Sequence, residues 1–141
     1  MIWFTDKVTT EAINKNCENT LVSHMGITID EITDDTLVGS MPVDKTTHQP
    51  YGILHGGANC VLAETLGSIA ANLICDPSTH HAVGLSIHTN HIKAVRNGRV
   101  KGIAKASHLG KTTHIWNIDT YNESGQLTSE TKLTMMIVKR L

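Results

Sequence analysis

The stretch YGILHGGANCVLAETLGSIAANLIC, residues 51–75, is almost entirely small and apolar, yet it carries one acid, Glu64, with no basic residue near it in sequence. An isolated charge in an apolar setting is costly, so its presence asks for a use. A carboxylate so placed can attack a carbonyl as a nucleophile, forming an anhydride, or act as a general base on water. It can also be structural, held by hydrogen bonds or by a distant Lys or Arg. Ser68 follows Glu64 by four residues, which on a helix puts both on one face. Its hydroxyl could orient the carboxylate or a water, or its small size could simply allow close packing. Thr65 is expected to face elsewhere and to pack.

The element that positions these groups is a long helix, expected to begin near HGGA and to end around Cys75, where CDPSTHH supplies breakers. A helix start exposes unpaired N–H groups and the positive end of the macrodipole, suited to a carbonyl oxygen that gains negative charge. Gly56 and Gly57 lie at that start, where glycine permits close approach of a substrate. Glu64 lies eight residues on, about 12 Å along the axis, so serving its own helix start is awkward. An antiparallel helix from a second subunit would bring the two together. The helix is apolar on nearly all sides, which implies more than one burying surface.

Around it the pattern reads as a short helix in TTEAINKN, strands in MGITIDEIT and TLVGSMPVD, and a turn-rich DKTTHQPYG in which Pro50 discourages helix. After the long helix come four strand-like runs, AVGLSIHTNHI, RVKGIAKAS, HIWNIDTYN and QLTSETKLTMMIVKR, with RNGR and NESGQ placed as hairpin turns. This order predicts an α+β domain spanning 1–141, an antiparallel sheet with one principal helix on its face.

Composition bounds the rest. With 141 residues, 40% hydrophobic and 18% charged, the chain is sized and balanced for one globular unit. The net charge of -1 hides an asymmetry: no acid lies between Asp76 and Asp119, whereas Lys93, Arg96, Arg99, Lys101, Lys105 and Lys111 do. Cys17, Cys60 and Cys75 are odd in number and widely spaced, which argues against a disulfide framework and for a reducing cytoplasm. No secretory signal pattern opens the sequence, and the long apolar run is interrupted by His55, Asn59, Glu64 and Asn72, unlike a membrane span. His88 and His91, three apart on a strand, point to opposite faces, and His80 with His81 lack a matching Cys or acidic cluster, so no metal site is expected.

The ordered set MIW, DDTL, MPVD, QPYGILHGG, LAETLGS, VGLSI, NHI, GRVKG, HLG and LTMMIV covers nearly the whole chain. It resembles the hotdog-fold acyl-CoA thioesterases, in the PaaI-like subgroup that includes menaquinone-pathway 1,4-dihydroxy-2-naphthoyl-CoA thioesterases and the enterobactin-pathway proofreading thioesterase. The resemblance implies a sheet wrapped around the central helix, subunits paired through their sheets, and a homodimer or homotetramer. It also implies hydrolysis of an acyl-CoA thioester, with an aromatic acyl group favoured. It assigns the Gly56 N–H to the thioester oxygen, Glu64 of another subunit to catalysis, Gln49 to a water or the leaving thiolate, and His55 to the loop or the thioester. The nucleotide is placed near Gly84, His91–Ala94 (His91, Ile92, Lys93, Ala94) and His108–Thr113 (His108, Leu109, Gly110, Lys111, Thr112, Thr113), with Lys93 and Lys111 as phosphate contacts. CoA is part of the substrate, and no separate cofactor or metal is implied.

Rival readings are an aryl carrier protein as the substrate's carrier, a dehydratase using His55 and Glu64 for proton transfer, and a non-enzymatic acyl-CoA binding protein. Nucleic-acid binding through the basic segment is disfavoured, since aromatic residues are only 4% and no stacking motif accompanies the charge.

Overall fold

Thr9 accepts a hydrogen bond from the Ala12 N–H and caps α1 (Thr10–Asn16), the helix expected from TTEAINKN. A second helix, α2 (Leu21–His24), escapes the sequence pattern because a single turn shows no periodicity; Thr20 and Ser23 close it with a capping box. The computed structural model describes residues 1–141. The chain continues through β1 (Thr28–Ile32) and β2 (Thr36–Pro42) to the long helix α3 (Gly56–Ile74), then β3 (His80–His91), β4 (Arg99–Leu109), β5 (Thr113–Tyr121) and β6 (Leu127–Lys139). Helix α3 starts and stops where HGGA and Cys75 indicated.

All six strands form one antiparallel sheet in the order β1-β2-β4-β5-β6-β3. NESGQ makes the expected β5–β6 turn, with the Asn122 N–H donating to the Gln126 carbonyl at 3.0 Å and Gly125 at φ 76°. RNGR does not make a hairpin. β3 pairs with β6 rather than with β4, so Arg96–Gly98 lies in a connection that carries the chain past β6 and β5, and Arg99 opens β4. Turn chemistry is local, and nothing in those four residues encodes which strand β3 pairs with.

Helix α3 lies close on the sheet because glycines face it. Gly39 and Gly102 are direct partners across β2 and β4, and a Cβ added to either would stand 2.7 or 2.6 Å from a Leu66 methyl. Leu62, Ala63, Leu66, Ala70 and Ala71 bury themselves against Leu37, Met41, Val100, Ala104, Ile118 and Leu133. Trp3 stacks on Trp116 at 6.4 Å and closes one end of this core. The sheet is one burying surface for α3; the stripe Val61, Glu64, Thr65, Ser68 and Ile69, whose Glu64 reaches Gly84 on the sheet's edge strand, meets the α1–α2 segment across a cavity. No helix is long and apolar enough to cross a membrane.

Candidate active site

The start of α3 is built by His55. As N-cap it sits in extended backbone, and its Nδ1 accepts the Gly57 N–H at 2.8 Å. That bond needs Nδ1 unprotonated and makes His55 a clamp on the helix start. The backbone reinforces it: the His55 N–H donates to Thr47 and the Asn59 N–H to His55. With Gly57 capped, the Gly56 N–H is left without a partner in the chain, free at the positive end of a 19-residue helix. The Gln49 Oε1 accepts from the Tyr51 N–H within its own turn. Its Nε2 therefore remains as the free group, a donor suited to an oxyanion or a thiolate.

A cavity of about 290 Å³ opens on this helix start, lined by Gln49, Gly56, Asn59, His91, Ile92, Lys93 and Ala94 among others. The His91 ring packs on Gly56, where an added Cβ would stand 2.9 Å from its Nε2. Asn59 is buried beneath, its Nδ2 donating to Ser129 Oγ at 2.6 Å, and Ser129 in turn bonds Thr120.

Glu64 belongs to another place. It is half-buried, and its Oε1 would be 2.6 Å from a Cβ on Gly84, so the missing side chain of β3 makes room for the carboxylate. No ion pair holds it; the chain's one salt bridge joins Lys105 and Asp35 at 3.1 Å. Glu64, Ser68, Val61 and Ile69 line a cavity of about 480 Å³ with Asn16, Cys17, Thr20, Leu21 and Val22. Thr65 lines it too, contrary to the expectation that it faces elsewhere. Positions 61, 64, 65, 68 and 69 form one helical stripe, wider than the Glu64–Ser68 line alone. Burial pushes the Cys17 thiol up, so this wall carries a neutral thiol. The α1–α2 contribution had only one sequence signal, the Thr20 cap.

The sequence-predicted residues thus divide into two sites on one chain: Gln49, His55, Gly56 and His91–Ala94 at one, and Glu64, Ser68 and Gly84 at the other. The strand register divides the phosphate candidates in the same way. His91 is level with Ser129, whereas Thr113 is level with Met136 and Val83, so Lys93 and Lys111 lie at opposite ends of the sheet, roughly 25 Å apart along the strands. A larger concavity, about 690 Å³, lies on the outer sheet face around Ser86, His88, Asn90, Glu130 and Lys132, and holds none of the catalytic candidates.

A free helix-start donor, a poised amide and an uncompensated acid behind a glycine are the parts of an acyl-transfer site, on a sheet wrapped about one helix. The profile of the thioesterase superfamily matches residues 51–129. The 1,4-dihydroxy-2-naphthoyl-CoA hydrolase of Escherichia coli (strain K12) is 44% identical over 98% of this chain and 100% of its own length. The proofreading thioesterase EntH of Cronobacter sakazakii is 41% identical over 98% and 99%. Among solved structures, a mutant of thioesterase PA1618 from Pseudomonas aeruginosa superposes with a TM-score of 0.97 at 41% identity, covering 99% of this chain and 100% of that one. The chain belongs to the thioesterase superfamily, has the hotdog fold of these enzymes, and is a thioester hydrolase.

Proposed function

We propose that the chain hydrolyses an aromatic acyl-CoA thioester to the free acid and CoA, at a site shared between two subunits. One observation carries this: the Gly56 donor and the Glu64 carboxylate occupy separate cavities of one chain, about 12 Å apart along α3. Strand β3, which runs past both, ends the sheet with its outer side unpaired. Two copies joined along that edge bring the Gly56 cavity of one to the Glu64 cavity of the other. The thioester oxygen then accepts the Gly56 N–H, the Gln49 Nε2 donates to the oxyanion or the departing sulfur, and the partner subunit's Glu64 attacks the carbonyl or takes a proton from water.

The acyl group enters the Glu64 cavity. Its walls join apolar Leu21, Val22, Val61 and Ile69 to polar Asn16, Thr20, Thr65 and Ser68, a lining matched to a ring bearing polar substituents rather than to a long aliphatic tail. This agrees with the 1,4-dihydroxy-2-naphthoyl group named for the Escherichia coli relative. CoA leaves past Lys93, with Lys111 of a different subunit as a second phosphate contact. A carrier-protein thioester is the second reading, favoured by the likeness to a proofreading thioesterase.

Thiol release from aryl and fatty acyl thioesters, each on CoA and on a carrier protein, tests the substrate; fatty acyl preference would refute the aromatic assignment. The shared site is tested by mixing two inactive chains. Glu64→Ala removes the acid, and Gly56→Pro removes the N–H at a helix position that tolerates proline, its ring displacing the His91 side chain. Each alone loses activity by at least about 100-fold. After dissociation and remixing, half of the dimers are mixed and each has one intact site, restoring about a quarter of native activity. No recovery on remixing would show that each chain completes its own site.

A further inference from the structure

Two side-chain amides occupy the open rims of the sheet. On β3, Asn72 of α3 donates from Nδ2 to the Ala82 carbonyl at 3.1 Å and accepts the Ala82 N–H at Oδ1, at 2.9 Å. On β1, the strand at the other end of the sheet, Asn14 of α1 does the same to Ile29: its Nδ2 donates to the carbonyl at 2.9 Å and its Oδ1 accepts the N–H at 2.8 Å. Such a pair imitates one rung of a strand ladder and fixes position and direction together. Helix α3 is held in any case by the core along its length. The α1–α2 segment is not: Ile13 is the buried residue of α1, and α2 has none. Partial packing of Cys17 and Val22 adds attraction without direction. The directional attachment of α1 to the sheet is Asn14.

The chain beyond Asn14 is tied into one piece. The Cys17 N–H donates to the Asn14 carbonyl at 3.1 Å, and Thr20 Oγ1 donates to the Cys17 carbonyl at 2.5 Å while accepting the Val22 N–H at 3.2 Å. The Ile27 N–H then bonds the Val22 carbonyl at 3.0 Å and returns the chain to β1. None of the hydrogen bonds of residues 17–22 reaches α3. This piece is the near wall of the Glu64 cavity, and Leu21 stands 58% exposed on it. Resting on the reading that the acyl group enters this cavity, we infer that Asn14 sets how far the wall stands from α3, and so which acyl groups are accepted, without touching the substrate. With the wall fixed, a flat ring is gripped on both faces. With it released, the ring loses one face and a thicker, flexible chain gains room.

A methylene's worth of contact changes relative turnover by about 10–200-fold. Asn14→Ala should therefore lower the ratio of kcat/KM for benzoyl-CoA to that for acetyl-CoA, whose acyl group is too short to reach the wall, by at least about 10-fold. The ratio for decanoyl-CoA to benzoyl-CoA should rise. Asn14→Asp keeps the acceptor for the Ile29 N–H and loses the donor, so it should shift both ratios the same way by less and gives a second reading if the alanine variant folds poorly. Amide hydrogen exchange at residues 17–22 should quicken in both variants while α3 keeps its native rates. Equal loss on all three substrates, or faster exchange with unchanged ratios, overturns the inference. A native preference for decanoyl-CoA would refute the aromatic assignment and leave the shift between native and variant as the test of the wall. Native preference for benzoyl-CoA with no shift in the variants removes the role of Asn14 alone.

Discussion

At Gly84 a single hydrogen in place of a methyl decides where the carboxylate lies. A Cβ there would stand 2.6 Å from Glu64 Oε1, and the position itself is exposed on an edge strand, so the displaced group is the acid rather than the core. Gly84→Ala should lower kcat by at least about 10-fold, as misplacement of a catalytic group by an ångström does, with the thermal midpoint nearly unchanged; steady-state kinetics and a melting curve check both. Gln49 offers a second test. With Oε1 engaged by the Tyr51 N–H, the role proposed for Gln49 falls to its Nε2 donor, so Gln49→Glu, which keeps an acceptor and removes the donor, should reduce kcat by about 100-fold. Glu64 and Gly56 were legible because each breaks a local rule: a lone acid in an apolar run and a doubled glycine at a helix start. The part of Gly84 in seating the acid was not, because its meaning lies in contact with a residue twenty positions away.

At the level of elements, α3 depends on glycines for its depth in the sheet. Gly102→Ala drives a methyl to 2.6 Å from Leu66, between two packed layers, and should destabilise the fold by about 1–3 kcal/mol, read as a lower urea midpoint with unchanged slope. Strand β5 adds a pH dependence. His114 points into the core with its Nδ1 unpartnered, and burial first, then the neighbouring His108, hold its imidazole below the usual range. The unfolded chain therefore binds a proton that the folded chain refuses. His114 contributes full stability above its unfolded value near ~6.5 and loses it as the pH falls below that, by at most about 1.4 kcal/mol per pH unit. Urea midpoints from pH 7.5 to 5 should fall, and fall less steeply in His114→Leu. The strands and α3 were legible from alternation and breakers, but α2 was too short to show a period, and the non-hairpin role of RNGR follows from strand order, which local residue chemistry does not specify.

For the whole molecule, the basic segment is better understood as two cationic ends than as one patch. Lys93 and Lys111 sit roughly 25 Å apart along the strands of one chain, and Arg99 and Lys105 are turned to other tasks, Arg99 to Ser40 and Lys105 to Asp35. Lys93→Ala and Lys111→Ala should each raise KM for an acyl-CoA several-fold and leave kcat near native, with little effect on a short pantetheine thioester lacking the nucleotide; equal loss on both substrates would remove the phosphate role. Charge asymmetry was plain in the sequence, but its division between ends was not, since it depends on β3 and the β4–β5 hairpin running to opposite limits of the sheet.

Asn72 has a consequence beyond its bonds to Ala82. Ile137, level with Ala82 on β6, sends its N–H to Thr112 instead, so the Ala82 groups that Asn72 occupies are those on the open rim of the sheet. One helical amide thereby plugs the rim at Ala82, leaving no free backbone groups there for another strand. Such a stopper keeps an otherwise adhesive border from seeding endless stacking.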